Sequence, residues 1–289
     1  MKKNGIITHY YKSTNYGGNL QAYALQRCIC EKLKLPIEQM CYDLWNHENN
    51  KKRTIKNYFS KKRLNGILKK VFIYVKSKIK TIILIIFGKN KKDKLRVQAF
   101  DEFNSVLIKN NGVRLIDSNI VECNKDYDVF ITGSDQVWNL RWYRKPFFLD
   151  FVQEGKKKIS YAASISMDYL TDEQKELFKN YLKDFKAISV REKQAISLLE
   201  GLTPVEPQLV VDPTLLLSRE DWDNICSERI VKEKYIFCYA LGDNKIMRKL
   251  LKKYAKKHKC KIVFIPFVSG NQSLYNISFG DIRLSCGVT

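Results

Sequence analysis

Acidic residues, histidine and long apolar runs are scarce in this chain of 289 residues. Its 30 aspartates and glutamates face 52 lysines and arginines, which leaves a formal net charge of +22. No apolar run approaches the ~20 residues that a membrane-spanning helix needs. The apolar run after the first lysines is also too short for the core of a secretory leader. We therefore expect a protein of the cytoplasm.

The spacing typical of metal ligands is absent as well. The three histidines, His9, His47 and His258, are widely separated, and the eight cysteines include one close pair, Cys28 and Cys30. Structural zinc sites usually combine several paired Cys and His ligands. We predict no metal site, and we interpret most cysteines as reduced, buried thiols.

Most of the positive charge lies in one segment. Residues 51–96 hold 17 lysines and arginines against one acid, Asp93, a net charge of +16 (17 − 1). Lysines alternate there with apolar residues, which predicts either a basic amphipathic helix on an anionic membrane surface or a helical hairpin packed on its own domain. Aromatic side chains are interleaved with the charges, but no nucleic-acid-binding motif accompanies them, so we expect no nucleic acid partner.

Strand and helix patterns alternate along the first 218 residues and predict an α/β fold with a mostly parallel, doubly wound sheet. A helix is predicted between Thr171 and Phe185, because Thr171 and Gln174 form a capping box at its start. We assign residues 1–218 to an N-terminal Rossmann-like domain with a basic helical insertion at about 47–96. Strands are predicted at residues 4–9, 37–42, 128–132, 158–163, 187–190 and 208–211.

A second unit begins near Tyr235. It has a strand at 235–240, a helix at 244–258 and another strand at 261–265, and the chain then reaches Thr289. Two or three strands with one helix bury little apolar surface. We therefore expect residues 219–289 to form a partial C-terminal Rossmann-like domain.

Polar residues cluster directly after the carboxyl ends of the predicted strands. In an open α/β sheet this edge is where ligands bind. Arg191 could grip a carboxylate or phosphate with two N–H groups, or merely pair with Glu192. The Gly17–Gly18 turn opens a helix, where free N–H groups could hold an anion, or it is a tight turn without a ligand.

Two further residues at this edge are candidates for proton transfer. Asp135 could orient acceptor hydroxyls or act as a base, and its alternative role is a helix N-cap. His9 is the one histidine near the predicted cleft, although a lone histidine often has a structural role. Trp138 and Trp142 could each stack on a sugar ring or be buried.

Five segments carry a resemblance to a known family. They are residues 15–25 (NYGGNLQAYAL), 133–139 (GSDQVWN), 161–164 (YAAS), 189–192 (SVRE) and 212–216 (DPTLL). In this order and spacing the chain resembles the polysaccharide pyruvyl transferases. The resemblance implies two Rossmann-like domains of the glycosyltransferase-B type, the C-terminal one incomplete here. It also implies phosphoenolpyruvate as co-substrate without a further cofactor, and an acceptor glycan that is often lipid-linked at the cytoplasmic face of the membrane.

Ketal formation needs a general acid, a base for hydroxyl protons, and cations or N–H groups for a carboxylate and a phosphate. We predict Asp135 and His9 as catalytic residues, and Gln136 and Trp138 as acceptor contacts. The predicted donor contacts are Arg191, Asn15, Gly17, Gly18 and Ser164.

The sequence departs from the family at one motif. Members have a C-terminal Ser-Phe-His-Gly type motif that contributes to donor binding and catalysis, and this chain lacks it. Three functions therefore stay open. The first is pyruvyl transfer from phosphoenolpyruvate to a cell-surface polysaccharide precursor, impaired by the truncation. The second is an inactive or binding-only remnant of a split gene, and the third is sugar-nucleotide-dependent glycosyl transfer on the same fold.

Overall fold

The structure is a computed structural model that describes residues 3–44, 89–240, 245–266 and 279–284. Within these ranges the chain forms two compact units. The first comprises residues 3–44 and 100–224, and the second comprises residues 89–99 together with the described residues from 225 onward.

A five-stranded parallel sheet lies at the centre of the first unit, in the order β2-β1-β3-β4-β5. This confirms the predicted α/β fold with a parallel sheet. The strand order reverses between β1 and β3, and such a switch point leaves a crevice beyond the carboxyl ends of the two strands. The strands are β1 (Lys3–Ile7), β2 (Ile37–Gln39), β3 (Tyr127–Thr132), β4 (Lys157–Ser160) and β5 (Phe185–Ala187).

Two further strands follow β5 in the chain and lie next to the segment that follows β4. Strands β6 (Ser189–Val190) and β7 (Gln208–Leu209) pair in parallel as a small separate sheet. A single parallel bridge between Ala163 and Val190 joins β6 to the segment that follows β4. The ends of β4 and β6 therefore lie side by side.

Three helices begin at residues whose side chains cap them, Asn15, Thr171 and Ser218. Helix α1 starts after Asn15, whose side chain accepts the Gly18 N–H, and α3 starts after Thr171 with the predicted capping box. Helix α3 ends at Leu182, three residues before its predicted end, because β5 begins at Phe185. The helices are α1 (Tyr16–Lys32), α3 (Asp172–Leu182), α4 (Lys193–Leu199) and α5 (Arg219–Asp223), together with α2 (Lys89–Leu107), of which residues 100–107 belong to this unit.

Several aromatic rings lie in the main core cluster of the first unit. Their burial removes a large apolar area from water, which stabilises a sheet of such short strands. The fully buried members include Trp138, Phe130, Phe147, Phe148, Phe178 and Phe185.

The second unit has a three-stranded parallel sheet in the order β10-β9-β8. Its described elements are β8 (Tyr235–Ala240), α6 (Lys245–His258), β9 (Lys261–Pro266) and β10 (Ile282–Arg283). Strand β8, helix α6 and strand β9 match the predicted strand–helix–strand pattern.

Residues 47–88 of the predicted basic insertion at 47–96 lie outside the described residues. Its last residues form the first turns of α2, which begins at Lys89. Across the described ranges, no helix combines the length and apolarity needed to cross a bilayer.

Candidate active site

A cavity of about 430 Å³ opens beyond the carboxyl ends of β1 and β3, at the point where the strand order reverses. Its size is that of an ordinary small-ligand site. The lining is polar and aromatic and consists of Thr8, His9, Tyr10, Tyr11, Ser13, Asn15, Tyr42, Leu44, Asp135, Gln136, Arg141, Trp142 and Arg144.

His9 lies in the turn that follows β1. Its ring packs edge-on against Phe147, and its Nδ1 is 3.9 Å from Oδ2 of Asp135. The other ring nitrogen, Nε2, is buried and has no hydrogen-bond partner within the described part of the chain. Burial lowers the pKa of His9 and the charge of Asp135 opposes this only in part, so His9 is neutral near pH 7. A neutral imidazole with an unused nitrogen can accept a proton.

Asp135 adopts a left-handed backbone conformation, with φ at 69°. This region is rarely occupied by residues other than glycine, asparagine and aspartate. Three hydrogen bonds hold it there: Oδ1 accepts from the Gln136 N–H at 2.8 Å, and the backbone oxygen accepts from Val137 and Ser164 at 2.8 and 2.9 Å. Oδ2 is left facing His9.

A buried hydrogen-bond network lies beneath this pair. Gln21 of α1 donates to the Thr8 hydroxyl at 2.9 Å and to the Gly18 carbonyl at 2.8 Å, and it accepts from the Ser134 N–H at 3.0 Å. Thr8 donates in turn to the Ser134 carbonyl at 2.9 Å. The network therefore ties the start of α1 to both loops that carry His9 and Asp135. Sequence reasoning missed Gln21, although a glutamine on the apolar face of a helix was a usable signal.

Two glycines permit close backbone approaches around the site. A Cβ atom at Gly18 would lie 2.4 Å from the His9 carbonyl oxygen. A Cβ atom at Gly133, where φ is +111°, would lie 2.2 Å from the Tyr161 carbonyl oxygen. The Gly18 N–H donates to Asn15 at 3.4 Å, so the observed role of the Gly17–Gly18 turn is to seat α1 against the His9 loop.

Four of the predicted site residues come together in the cavity: His9 and Asp135 as predicted catalytic residues, Asn15 as a predicted donor contact and Gln136 as a predicted acceptor contact. The structure brings them from two loops and one helix start to a single surface. Their individual roles stay predictions.

Two further residues that were predicted as contacts, Trp138 and Ser164, are fully buried in the structure, and their roles stay predictions. Trp138 stacks on Phe148 and donates its indole N–H to the Phe147 carbonyl at 3.1 Å. The Ser164 hydroxyl bonds with that of Ser166 at 2.7 Å. Both residues also form backbone hydrogen bonds that hold the loop after β3: the Trp138 backbone N–H donates to the Ser164 carbonyl, and the Ser164 N–H donates to the Asp135 carbonyl.

Arg191 follows β6 and does not line the cavity. Its guanidinium is paired with Asp212 at 2.8 Å and with Glu192 at 3.3 Å. Burial works to raise the pKa of Asp212, but hydrogen bonds from Thr214 and Arg191 outweigh it and lower that pKa. The pairing fixes the guanidinium at this edge of the sheet, and the proposed donor contact stays a prediction.

Sequence reasoning also missed the cationic side of the cavity. Arg141 and Arg144 lie in the segment between the GSDQVWN motif and Pro146, and both line the cavity. Two arginines within two positions of Trp142 were visible in the sequence as a signal. The described residues contain no cluster of three or more His, Cys, Asp or Glu side chains that could hold a metal.

Comparison with known proteins adds one match. A model of the family described as polysaccharide pyruvyl transferase matches residues 15–283. No curated protein and no solved structure matches the chain.

Proposed function

The chain belongs to the polysaccharide pyruvyl transferase family, and on that premise we propose that it transfers the pyruvyl group of phosphoenolpyruvate to two hydroxyls of one sugar. The acceptor is a precursor of a cell-surface polysaccharide.

The reaction balances without a redox partner or metal. A sugar hydroxyl adds across the double bond of phosphoenolpyruvate: its oxygen bonds to C2 and its proton passes to the methylene carbon. The C2–O bond to phosphate then breaks. A second hydroxyl of the same sugar then attacks C2 and closes the ketal. Of the two hydroxyl protons released, one balances the proton on the new methyl group and the other leaves with inorganic phosphate.

One observation carries the proposal: the buried, unpartnered Nε2 of a neutral His9 in a polar cavity, with Asp135 on the other side of the ring. In this arrangement Nε2 takes the proton of the attacking hydroxyl and can return it to the methylene carbon. The imidazolium formed in between is stabilised by the Asp135 carboxylate, 3.9 Å from Nδ1.

The donor is trianionic and needs cations and N–H groups around its carboxylate and phosphate. Asn15 borders the cavity, and Arg191 is held by two carboxylates at the same edge of the sheet. We assign the donor to Arg191, Asn15, Gly17 and Gly18, with no further cofactor. The GT-B arrangement of two domains belongs to the same proposal.

We place the reaction in the cytoplasm, at the inner face of the cell membrane. The support is the net charge of +16 (17 − 1) on residues 51–96. This charge suits an anionic lipid surface and a lipid-linked acceptor. Binding to anionic vesicles should then fall steeply with added salt and be lost when residues 51–96 are deleted.

The test is transfer itself. The purified chain is incubated with phosphoenolpyruvate and oligosaccharide acceptors, and both phosphate release and the pyruvyl ketal on the glycan are measured. His9→Gln should lower kcat by about 10²-fold or more, the usual contribution of a general base. His258→Gln, in helix α6 of the second unit, is the matched control and should leave kcat unchanged.

Two outcomes would decide against the proposal. Stabilisation by a nucleotide sugar but not by phosphoenolpyruvate would favour sugar-nucleotide-dependent glycosyl transfer. A folded chain that binds donor and glycan without any turnover would favour a binding-only protein.

A further inference from the structure

The cavity has a cationic wall that the proton-transfer pair does not use. Arg141 and Arg144 both line the cavity, and they lie far from His9 in the sequence. Arg144 donates to the Tyr143 carbonyl at 3.0 Å, and within the described ranges neither arginine forms an ion pair with a carboxylate. Unpaired guanidinium groups in a polar cavity favour an anionic ligand.

An exposed aromatic ring stands beside these arginines. Trp142 lines the cavity with 60% of its surface exposed, whereas Trp138, four residues earlier, is fully buried. Single exposed aromatic side chains are common on proteins, but one at the mouth of a polar cavity offers a flat face to a sugar ring.

The segment that carries this wall is held rigidly. The Asn139 side chain accepts the Arg141 N–H at 3.0 Å and donates to Gln136 at 3.2 Å. At its other end, the Tyr143 hydroxyl bonds with the Tyr181 hydroxyl at 2.6 Å. Binding therefore costs little ordering of the backbone that presents the side chains.

From this arrangement we infer that the cavity recognises an acceptor sugar with an anionic group. Trp142 stacks on the sugar ring, and Arg141 and Arg144 bind a phosphate ester or carboxylate carried by the same glycan. The inference deepens the proposed function, on which its assignment to the acceptor rests. The ring platform is the reason for preferring the acceptor, because phosphoenolpyruvate has no ring and occupies only a small part of about 430 Å³.

The experiment measures binding without turnover. Ligand-observed NMR titrations use three probes: glucose 1-phosphate, methyl glucuronide and, as the neutral match, methyl glucoside. The wild-type chain should bind at least one anionic probe about tenfold more tightly than the neutral one, the effect of one charge-assisted hydrogen bond. The phosphate and carboxylate probes distinguish the two sources of negative charge.

Variants separate the two parts of the wall. The double variant Arg141→Gln with Arg144→Gln should lose the preference for the anionic probe and keep the affinity for the neutral one. Trp142→Ala should weaken all three probes alike. Arg219→Gln is the matched control, since the Arg219 side chain is 93% exposed on α5 and pairs with Asp223 outside the cavity.

Two results would overturn the inference. One is equal affinity of the wild-type chain for the neutral and anionic sugars. The other is a double variant that loses phosphoenolpyruvate binding and keeps its sugar preference, which would make the arginines donor contacts. Because the titrations need no transfer, a chain with the anionic preference and no pyruvyl transfer would count against the proposed function alone.

Discussion

Replacing Gln21 by leucine removes the side chain that joins three backbone segments beneath the cavity and nearly preserves its volume. The change breaks bonds to Thr8, Gly18 and Ser134 at 2.9, 2.8 and 3.0 Å. Each such bond contributes about 1 kcal/mol net, and a buried donor left without a partner costs more than that. Gln21 is only 2% exposed, so water does not replace the lost partners. We therefore expect the free energy of unfolding to fall by about 3 kcal/mol or more.

Urea unfolding followed by circular dichroism measures this change. The matched control is Gln194→Leu, because Gln194 is exposed and makes one hydrogen bond, to the Asp168 carbonyl at 3.0 Å. Its loss should change the free energy of unfolding by about 0.5 kcal/mol or less. Equal losses for the two variants would refute the idea that Gln21 holds the site loops together.

Three further predictions concern the site and the Arg191–Asp212 pair. Burial lowers the pKa of His9 below 6.5, so kcat for transfer by the wild-type chain should fall only below pH 6.5. In the His9→Gln variant kcat should not show this fall. The contribution of His9 to stability is likewise present above pH 6.5 and lost as the pH falls through its folded pKa. Acid unfolding of the wild-type chain and of His9→Gln measures this loss. Gly18→Ala should displace the His9 turn, since its Cβ would meet the His9 carbonyl oxygen at 2.4 Å, so we expect a loss of about 1–3 kcal/mol in stability and of most transfer activity. The pKa of Asp212 is lowered because hydrogen bonds from Thr214 and Arg191 outweigh its burial, so the stability from this pair is lost as the pH falls through the lowered pKa. Asp212→Asn should remove that acid dependence and about 2 kcal/mol of stability at pH 7, whereas an unchanged acid unfolding profile would contradict the pairing.

The regular elements could be predicted because their signals are local. The strand at 235–240 and the helix capped by Thr171 and Gln174 depend on neighbouring residues alone, and the structure matches both. Their ends were less predictable. The strand expected at 158–163 ends at Ser160, because the following residues leave the sheet to bond with the loop after β3 and with β6.

The site could be predicted only in part. His9, Asn15, Asp135 and Gln136 follow strands or start a helix, and the rule that ligands bind at the carboxyl edge of a parallel sheet located all four correctly at one cavity. Trp138 obeys the same rule in sequence, yet its side chain is fully buried in the core cluster.

The sequence by itself determined the alternation of strands and helices, the family and the edge of the sheet that carries the polar residues. These follow from periodicity, caps and short motifs, which act over a few neighbouring residues. Tertiary structure alone decided that β1 and β3 are neighbours, that Gln21 bonds to both of their loops, and that Trp142 rather than Trp138 faces the cavity. The physical reason is that strand order and side-chain burial depend on contacts between residues more than 100 positions apart, such as the bond from Thr8 to Ser134, 126 residues away.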